Sequence, residues 1–255
     1  MSTEFVVIMG QRGYGKTTIL NRLLGTGWTT AAATTGTLLP HIKIYQDISN
    51  IKRDEDEKKS TYEETWVPYV KSRHDSSQLD DQLDGLILHQ QISQEISWHP
   101  ESKLFSERKL TKGIKNLIFV DLMGIGESLV LNQPYYEIYR EFVKKATHVL
   151  WITDASRRGY LEDQCCLREI KDSMSNIKRF TILLNKADSI GLRKNENPNP
   201  VPTEYQKKLL KDKQSVVAQS FHEIAPHLSI TEKDVIPFSA YYGWNFEALS
   251  QLFFE

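Results

Sequence analysis

Apolar residues along this chain gather in short blocks, each followed by a longer stretch in which apolar positions recur at helical spacing. Blocks of strand length and composition run over Phe5–Met9, Leu38–Ile48, Ile114–Asp121, Thr147–Thr153, Arg179–Asn185 and Asp234–Phe238. Helical patterns occupy Lys16–Leu24, Pro134–Lys145, Gly159–Met174, Thr203–Ile224 and Asn245–Phe254, and the second opens on a proline, which suits a first helical turn. Such alternation predicts βαβ units, and with them an α/β fold: a mostly parallel six-stranded sheet with helices on both faces.

Ser49 to Lys112 departs from the alternation. A mixed-sign run, Lys52 to Lys59, reads as a solvated surface, and beyond it Leu79, Leu83, Leu86 and Ile87 recur at helical spacing with Asp80, Asp81 and Asp84 on the other side. Residues 1–255 are therefore read as a single domain, with 49–112 an insertion between the second and third strands.

Composition narrows the class. The chain is 40% hydrophobic and 25% charged, which suits a packed domain and not a disordered chain. A formal charge of -1 means that nucleic acid is not indicated as a partner, and Lys207, Lys208, Lys211 and Lys213 read as a solvated helix face. The longest apolar runs, such as Val149–Ile152 and Phe180–Leu184, are too short for a transmembrane segment. Phe5–Met9 leads straight into a glycine loop and leaves no room for a signal peptide, so the expected location is cytoplasmic. The two cysteines, Cys165 and Cys166, are adjacent and read as small buried residues on a helix in a reducing compartment. The histidines show no metal-ligand spacing.

The chemistry begins at that glycine loop. Gly10-Gln11-Arg12-Gly13-Tyr14-Gly15-Lys16-Thr17 fits the phosphate-binding pattern GxxxxGK[ST] and lies between a strand and a helix, as the pattern requires. Its glycines let successive N–H groups turn inward around phosphates, and the helix N-terminus adds partial positive charge. Lys16 is expected to reach the β- and γ-phosphates and Thr17 to ligate Mg2+, with Tyr14 and Thr18 among the nucleotide contacts.

Two further elements follow in order. Asp121-Leu122-Met123-Gly124 closes a strand and places a carboxylate where a magnesium-bridging group belongs, while Gly124 would offer its N–H to the γ-phosphate. Of the hydroxyls between the first helix and the second strand, Thr37 is favoured to complete the metal shell, with Thr35 close behind. Asn185-Lys186-Ala187-Asp188 supplies an NKxD element: Asp188 can accept from the N1–H and exocyclic amine of guanine, a pair that adenine does not present. Asn185 would tie this corner to the phosphate loop, the stem of Lys186 would lie along the base, and Ser239-Ala240 would aim the Ala240 N–H at guanine O6.

With these elements in place the sequence resembles translation-factor-related P-loop GTPases, and more closely the Era-like group that includes prophage-encoded bacterial GTPases. The resemblance rests on Asp121 to Ser128, Val149-Leu150-Trp151-Ile152 with Asp154-Ala155, Leu184 to Asp188, and Ser239 to Asn245. It implies a G domain that binds GTP and GDP with Mg2+, hydrolyses GTP and switches between two loop conformations read by a protein effector, which the sequence does not identify. Met123 stands where relatives carry the proline of DxPG. The long gap before Asp121 resembles dynamin-related proteins, whose relatives often dimerise through the nucleotide face, which implies a nucleotide-dependent homodimer.

Catalysis is less complete. Where Ras-like enzymes orient the attacking water with a glutamine, this chain has Ile125, which cannot hydrogen-bond, so slow intrinsic hydrolysis is expected. Arg12 is a candidate arginine finger, in cis or across a dimer, set against the plainer reading of an arginine that faces solvent; Glu127 is a further candidate for holding water. A module that holds GTP or GDP with little hydrolysis is the competing reading, while a P-loop kinase or ATPase is disfavoured by Asp188.

Overall fold

The computed structural model describes residues 2–24, 41–46, 114–122, 124–125, 129–192 and 196–253. Among the described residues six strands, β1 (Ser2–Gly10), β2 (His41–Gln46), β3 (Ile114–Asp121), β4 (His148–Asp154), β5 (Arg179–Asn185) and β6 (Val235–Pro237), form one sheet in the order β2-β3-β1-β4-β5-β6. Of these described strands only β2 runs antiparallel, against β3, with His41 opposite Asp121. The α-helices among the described residues are α1 (Lys16–Leu24), α2 (Leu129–Lys145), α3 (Leu161–Ile170), α4 (Glu204–His222) and α5 (Phe246–Ser250).

β1 lies between β3 and β4 and is buried on both faces, which is why its apolar run is continuous and not alternating. Phe5, Val7 and Met9 face α2, α3 and α4 in a core with Tyr139, Phe142, Leu167 and Phe221. Val6 and Ile8 face the other way, onto Ile19, Leu20 and Leu23 of α1 and onto Leu249 and Phe253. Helices thus cover both faces, as the pattern predicts. Truncating a fully enclosed ring such as Phe142 would cost about 3–5 kcal/mol.

Several boundaries move, for local reasons. α2 starts at Leu129, so Pro134 lies in its second turn and does not open it. Leu129 and Leu131 favour helix, and the fixed φ of proline is itself helical, so the helix carries Pro134 at the cost of the missing N–H and of ring crowding, both at the Val130 carbonyl. α4 begins one residue after Thr203, because Thr203 is its N-cap: the Thr203 hydroxyl accepts from Gln206 N–H and the Gln206 side chain accepts from Thr203 N–H. Asp234 is outside β6 because its carboxylate accepts from the N–H and hydroxyl of Thr231, closing a short turn. Cys166 is buried on α3, whereas Cys165 is only partly so. The insertion at 49–112 and its amphipathic segment lie outside the described residues. Among the described residues no helix is long and apolar enough to cross a membrane.

Parallel pairing brings the carboxyl ends of β1, β3, β4 and β5 to one edge. Ile8 pairs with Asp121, Gly10 with Ile152, and Asp154 with Asn185. Ligands of open α/β sheets bind at that edge.

Candidate functional site

β1 ends at Gly10, whose φ of 136° is open to glycine alone; a Cβ there would lie 2.1 Å from the Ile152 carbonyl oxygen. The chain then curls through Gly13 and Gly15, also left-handed, into α1. Lys16 folds back into this curl. Its ammonium is buried and donates to the carbonyls of Gly10 and Gln11, each at 3.1 Å. Burial lowers the Lys16 pKa, opposed by the nearby carboxylates of Asp121 and Asp163. A buried cation whose hydrogen bonds go to backbone carbonyls is a cation suited to an incoming anion, which would replace weak dipoles with full negative charge.

Beside it, the Thr17 hydroxyl donates to Asp121 Oδ2 at 2.7 Å. These are hard oxygen donors from α1 and β3, brought together next to a phosphate-sized curl, and their chemistry fits Mg2+. Among the described residues no cluster of three or more His, Cys, Asp or Glu side chains forms a separate metal site. Gly124 backs the loop closely: a Cβ there would meet Arg12 Cα at 2.6 Å and Lys16 Nζ at 2.9 Å. Arg12 is exposed and its N–H donates to the Ile125 carbonyl at 2.8 Å. Ile125 itself is buried in the core that contains Tyr139 and Leu167, so at this position a packing group stands in place of a water-holding one. Thr18 is exposed on α1. Thr35, Thr37, Met123 and Glu127 lie outside the described residues.

A second corner of this edge grows from β5. Asn185 Nδ2 donates to the Tyr14 carbonyl at 2.7 Å, and its Oδ1 accepts from Ala240 N–H at 3.1 Å. One amide thereby joins the phosphate loop, the end of β5 and the loop after β6. In this structure the Ala240 N–H is engaged by Asn185, so contact with a base oxygen would share or exchange that bond. Lys186 is left-handed, with φ 58°, and its ammonium pairs with Asp154 Oδ2 at 2.7 Å while lying 5.8 Å from the centroid of the Tyr14 ring. Asp188 is partly exposed, and its main-chain carbonyl, like that of Ile190, accepts from Gln206 Nε2. Ser239 is fully buried and its hydroxyl accepts from Tyr242 N–H.

Sequence reasoning missed the layer that supports this edge. Asp163 on α3 is buried and accepts from Trp151 Nε1 at 2.8 Å, Thr153 Oγ1 at 3.1 Å and Gln11 Nε2 at 3.4 Å. Burial raises its pKa to about 6 against the pull of the Trp151 and Thr153 hydrogen bonds. Arg157 Nε donates to the Tyr14 hydroxyl at 2.8 Å, and burial pushes that phenol up to about 12. Asp154 is held below the usual range: burial raises it, and hydrogen bonds from Lys186 and Ser156 outweigh that. A buried indole must find an acceptor, so Trp151 within an apolar strand signalled that a polar partner lay nearby.

A mostly parallel sheet carrying a phosphate loop, a hydroxyl–carboxylate pair and an Asn-Lys-x-Asp corner on its carboxyl edge defines the G domain of P-loop GTPases. The chain belongs to the dynamin family, whose model matches residues 6–188. None of the curated proteins matches it in sequence. In fold it is similar to Aquifex aeolicus Era with GDP and aluminium fluoride bound, at a TM-score of 0.52 and 18% identity over 99% of this chain and 56% of that one. It is also similar to Era in complex with MgGDPNP and a segment of 16S ribosomal RNA, at a TM-score of 0.50 and 19% identity over 99% and 56% of the two chains. The chain thus spans little more than half the length of these structures.

Proposed function

We propose that this chain binds GTP and GDP with Mg2+ and hydrolyses GTP to GDP, acting as a nucleotide-dependent switch. The observation that carries the reading is the Asn185 side chain, which bonds to Tyr14 in the phosphate loop and to Ala240 beside the base corner, so one group sets the span between triphosphate and base. Family membership supports it.

In this reading Gly10, Gly13, Tyr14 and Gly15 wrap the phosphates, and Lys16 leaves the Gly10 and Gln11 carbonyls for phosphate oxygens. Thr17 and Asp121 would hold Mg2+, with Thr37 or Thr35 completing the shell, and the ion would supply neutralisation of phosphate charge there. Gly124 gives its N–H to the γ-phosphate. Asp188 selects guanine through two hydrogen bonds, with Lys186 along the base and Ala240 N–H at O6. Leaving that carboxylate unpaired by adenine is costly enough for discrimination of order 10⁴.

Hydrolysis is slow in the isolated chain, because Ile125 is packed in the core where a water-orienting side chain is needed. A second copy across the nucleotide face, or a protein effector, supplies the missing group, and Arg12 acts as the arginine finger. The protein works in the cytoplasm. The burial of Ile125 also favours a second reading, an assembly module that holds GTP or GDP with little turnover.

Calorimetry with GTP and ATP tests the base: equal affinity for both removes the proposal. Asp188→Asn should exchange GTP for xanthosine triphosphate. Single-turnover hydrolysis with saturating Mg2+ separates switch from module, and turnover per molecule that stays flat with protein concentration removes the dimer.

A further inference from the structure

Arg22, in the last turn of α1, has no place in the motifs above, yet it reaches the loop that follows β6. Its Nη1 donates to the Ala240 carbonyl at 2.7 Å and to the Tyr241 carbonyl at 2.8 Å, and its guanidinium lies 5.9 Å from the Phe246 ring centroid. Gly243 turns the loop around it: φ there is 73°, and a Cβ would sit 2.7 Å from Arg22 Nη2. Ala240 therefore presents its carbonyl to Arg22 and its N–H to Asn185.

We infer that Arg22 is a positioning residue for base recognition, holding the carbonyls of Ala240 and Tyr241 on the α1 side so that the Ala240 N–H stays turned toward guanine O6. The inference rests on the guanine reading proposed above. A planar guanidinium suits the task because it meets two carbonyls from one rigid group, which a flexible ammonium does less well. A peptide flip between Ser239 and Ala240 would swing the N–H away from the base, and the two Arg22 hydrogen bonds oppose the reorientation of this segment. Arg22 and Lys16 belong to one helix, so the rod that begins at the phosphates ends by fixing the opposite end of the nucleotide.

The test compares GDP, 6-thio-GDP and IDP as competitors, in wild type and in Arg22→Ala. Sulfur at position 6 is a poor acceptor but leaves N1–H and the 2-amino group for Asp188; IDP keeps O6 and lacks the amine. Wild type should prefer GDP over 6-thio-GDP by about tenfold, the worth of one hydrogen bond. Arg22→Ala should weaken GDP by about tenfold, compress its preference over 6-thio-GDP to within about twofold, and leave the GDP-to-IDP ratio unchanged. Arg22→Lys should fall between the two, and it carries the same ratio test if the alanine variant does not fold. Equal loss for GDP and 6-thio-GDP, or no loss for either, would overturn the role of Arg22 while leaving the guanine reading intact. Failure of wild type to bind GDP in preference to ADP would overturn both.

Discussion

Lys186 and Asp154 form an ion pair of 2.7 Å that joins the end of β5 to the end of β4, with the carboxylate nearly enclosed and the ammonium about half exposed. The pair fixes the left-handed Lys186 beside the Tyr14 ring. Asp154→Asn should release the lysine from its place beside Tyr14 and weaken GDP binding by about threefold to tenfold, an effect reduced by salt because the lysine is solvated. Fluorescence competition at low and high ionic strength would check both the direction and the screening.

Asn185→Ala removes two hydrogen bonds from one buried group and leaves the Tyr14 carbonyl and the Ala240 N–H to find others. Each such bond is worth about 1 kcal/mol, so GDP affinity should fall between tenfold and a hundredfold, with a lower melting temperature in nucleotide-free protein. Asn185→Asp should do worse than its size suggests, because a carboxylate cannot donate to Tyr14.

Two buried groups tilt stability against pH in opposite directions. Burial, helped by nearby Arg179, depresses His148 from 6.5 to about 3, so the stability that depends on its neutral form is present above pH 6.5 and is lost as pH falls toward 3. Asp163 is raised from 3.8 to about 6, so its contribution is fully present below 3.8 and is lost as pH rises through 6; about two units correspond to on the order of 3 kcal/mol. Urea midpoints between pH 4 and 7.5 should show acid destabilisation that steepens in Asp163→Asn and flattens or reverses in His148→Gln.

The glycines of the phosphate loop differ sharply in what they tolerate. Gly10→Ala sets a methyl 2.1 Å from the Ile152 carbonyl, between β1 and β4, and should abolish soluble expression. At Gly13 an added Cβ meets nothing within 4 Å, so only the left-handed backbone resists, at about 1–2 kcal/mol. A thermal melt of Gly13→Ala a few degrees below wild type would bear this out.

What was legible in the sequence is what lies contiguous along it. Gly10 to Thr17 and Asn185 to Asp188 are short runs with fixed flanks, and the strands beside them are nearly unbroken apolar blocks, so order and spacing alone pointed to the sheet and its edge. The supporting layer is dispersed: Gln11 and Asp163 lie 152 residues apart, and Arg22 and Ala240 lie 218 apart, and no local spacing announces either pair. Pro134 misled because proline opens many helices, whereas here a helix already begun carries it in its second turn. In the sequence Ile125 marks a position with no side chain to hold water; its burial gives the residue a job of its own, packing in the core that contains Tyr139 and Leu167.

Gln206 serves two masters: it closes the cap that starts α4 and, through the same amide, grips the chain on either side of Ser189. The first turn of that helix is consequently a tether for the segment that carries Asp188. Loss of the Gln206 amide would therefore loosen the start of α4 and the segment around Asp188 together, so the two stand or fall as one.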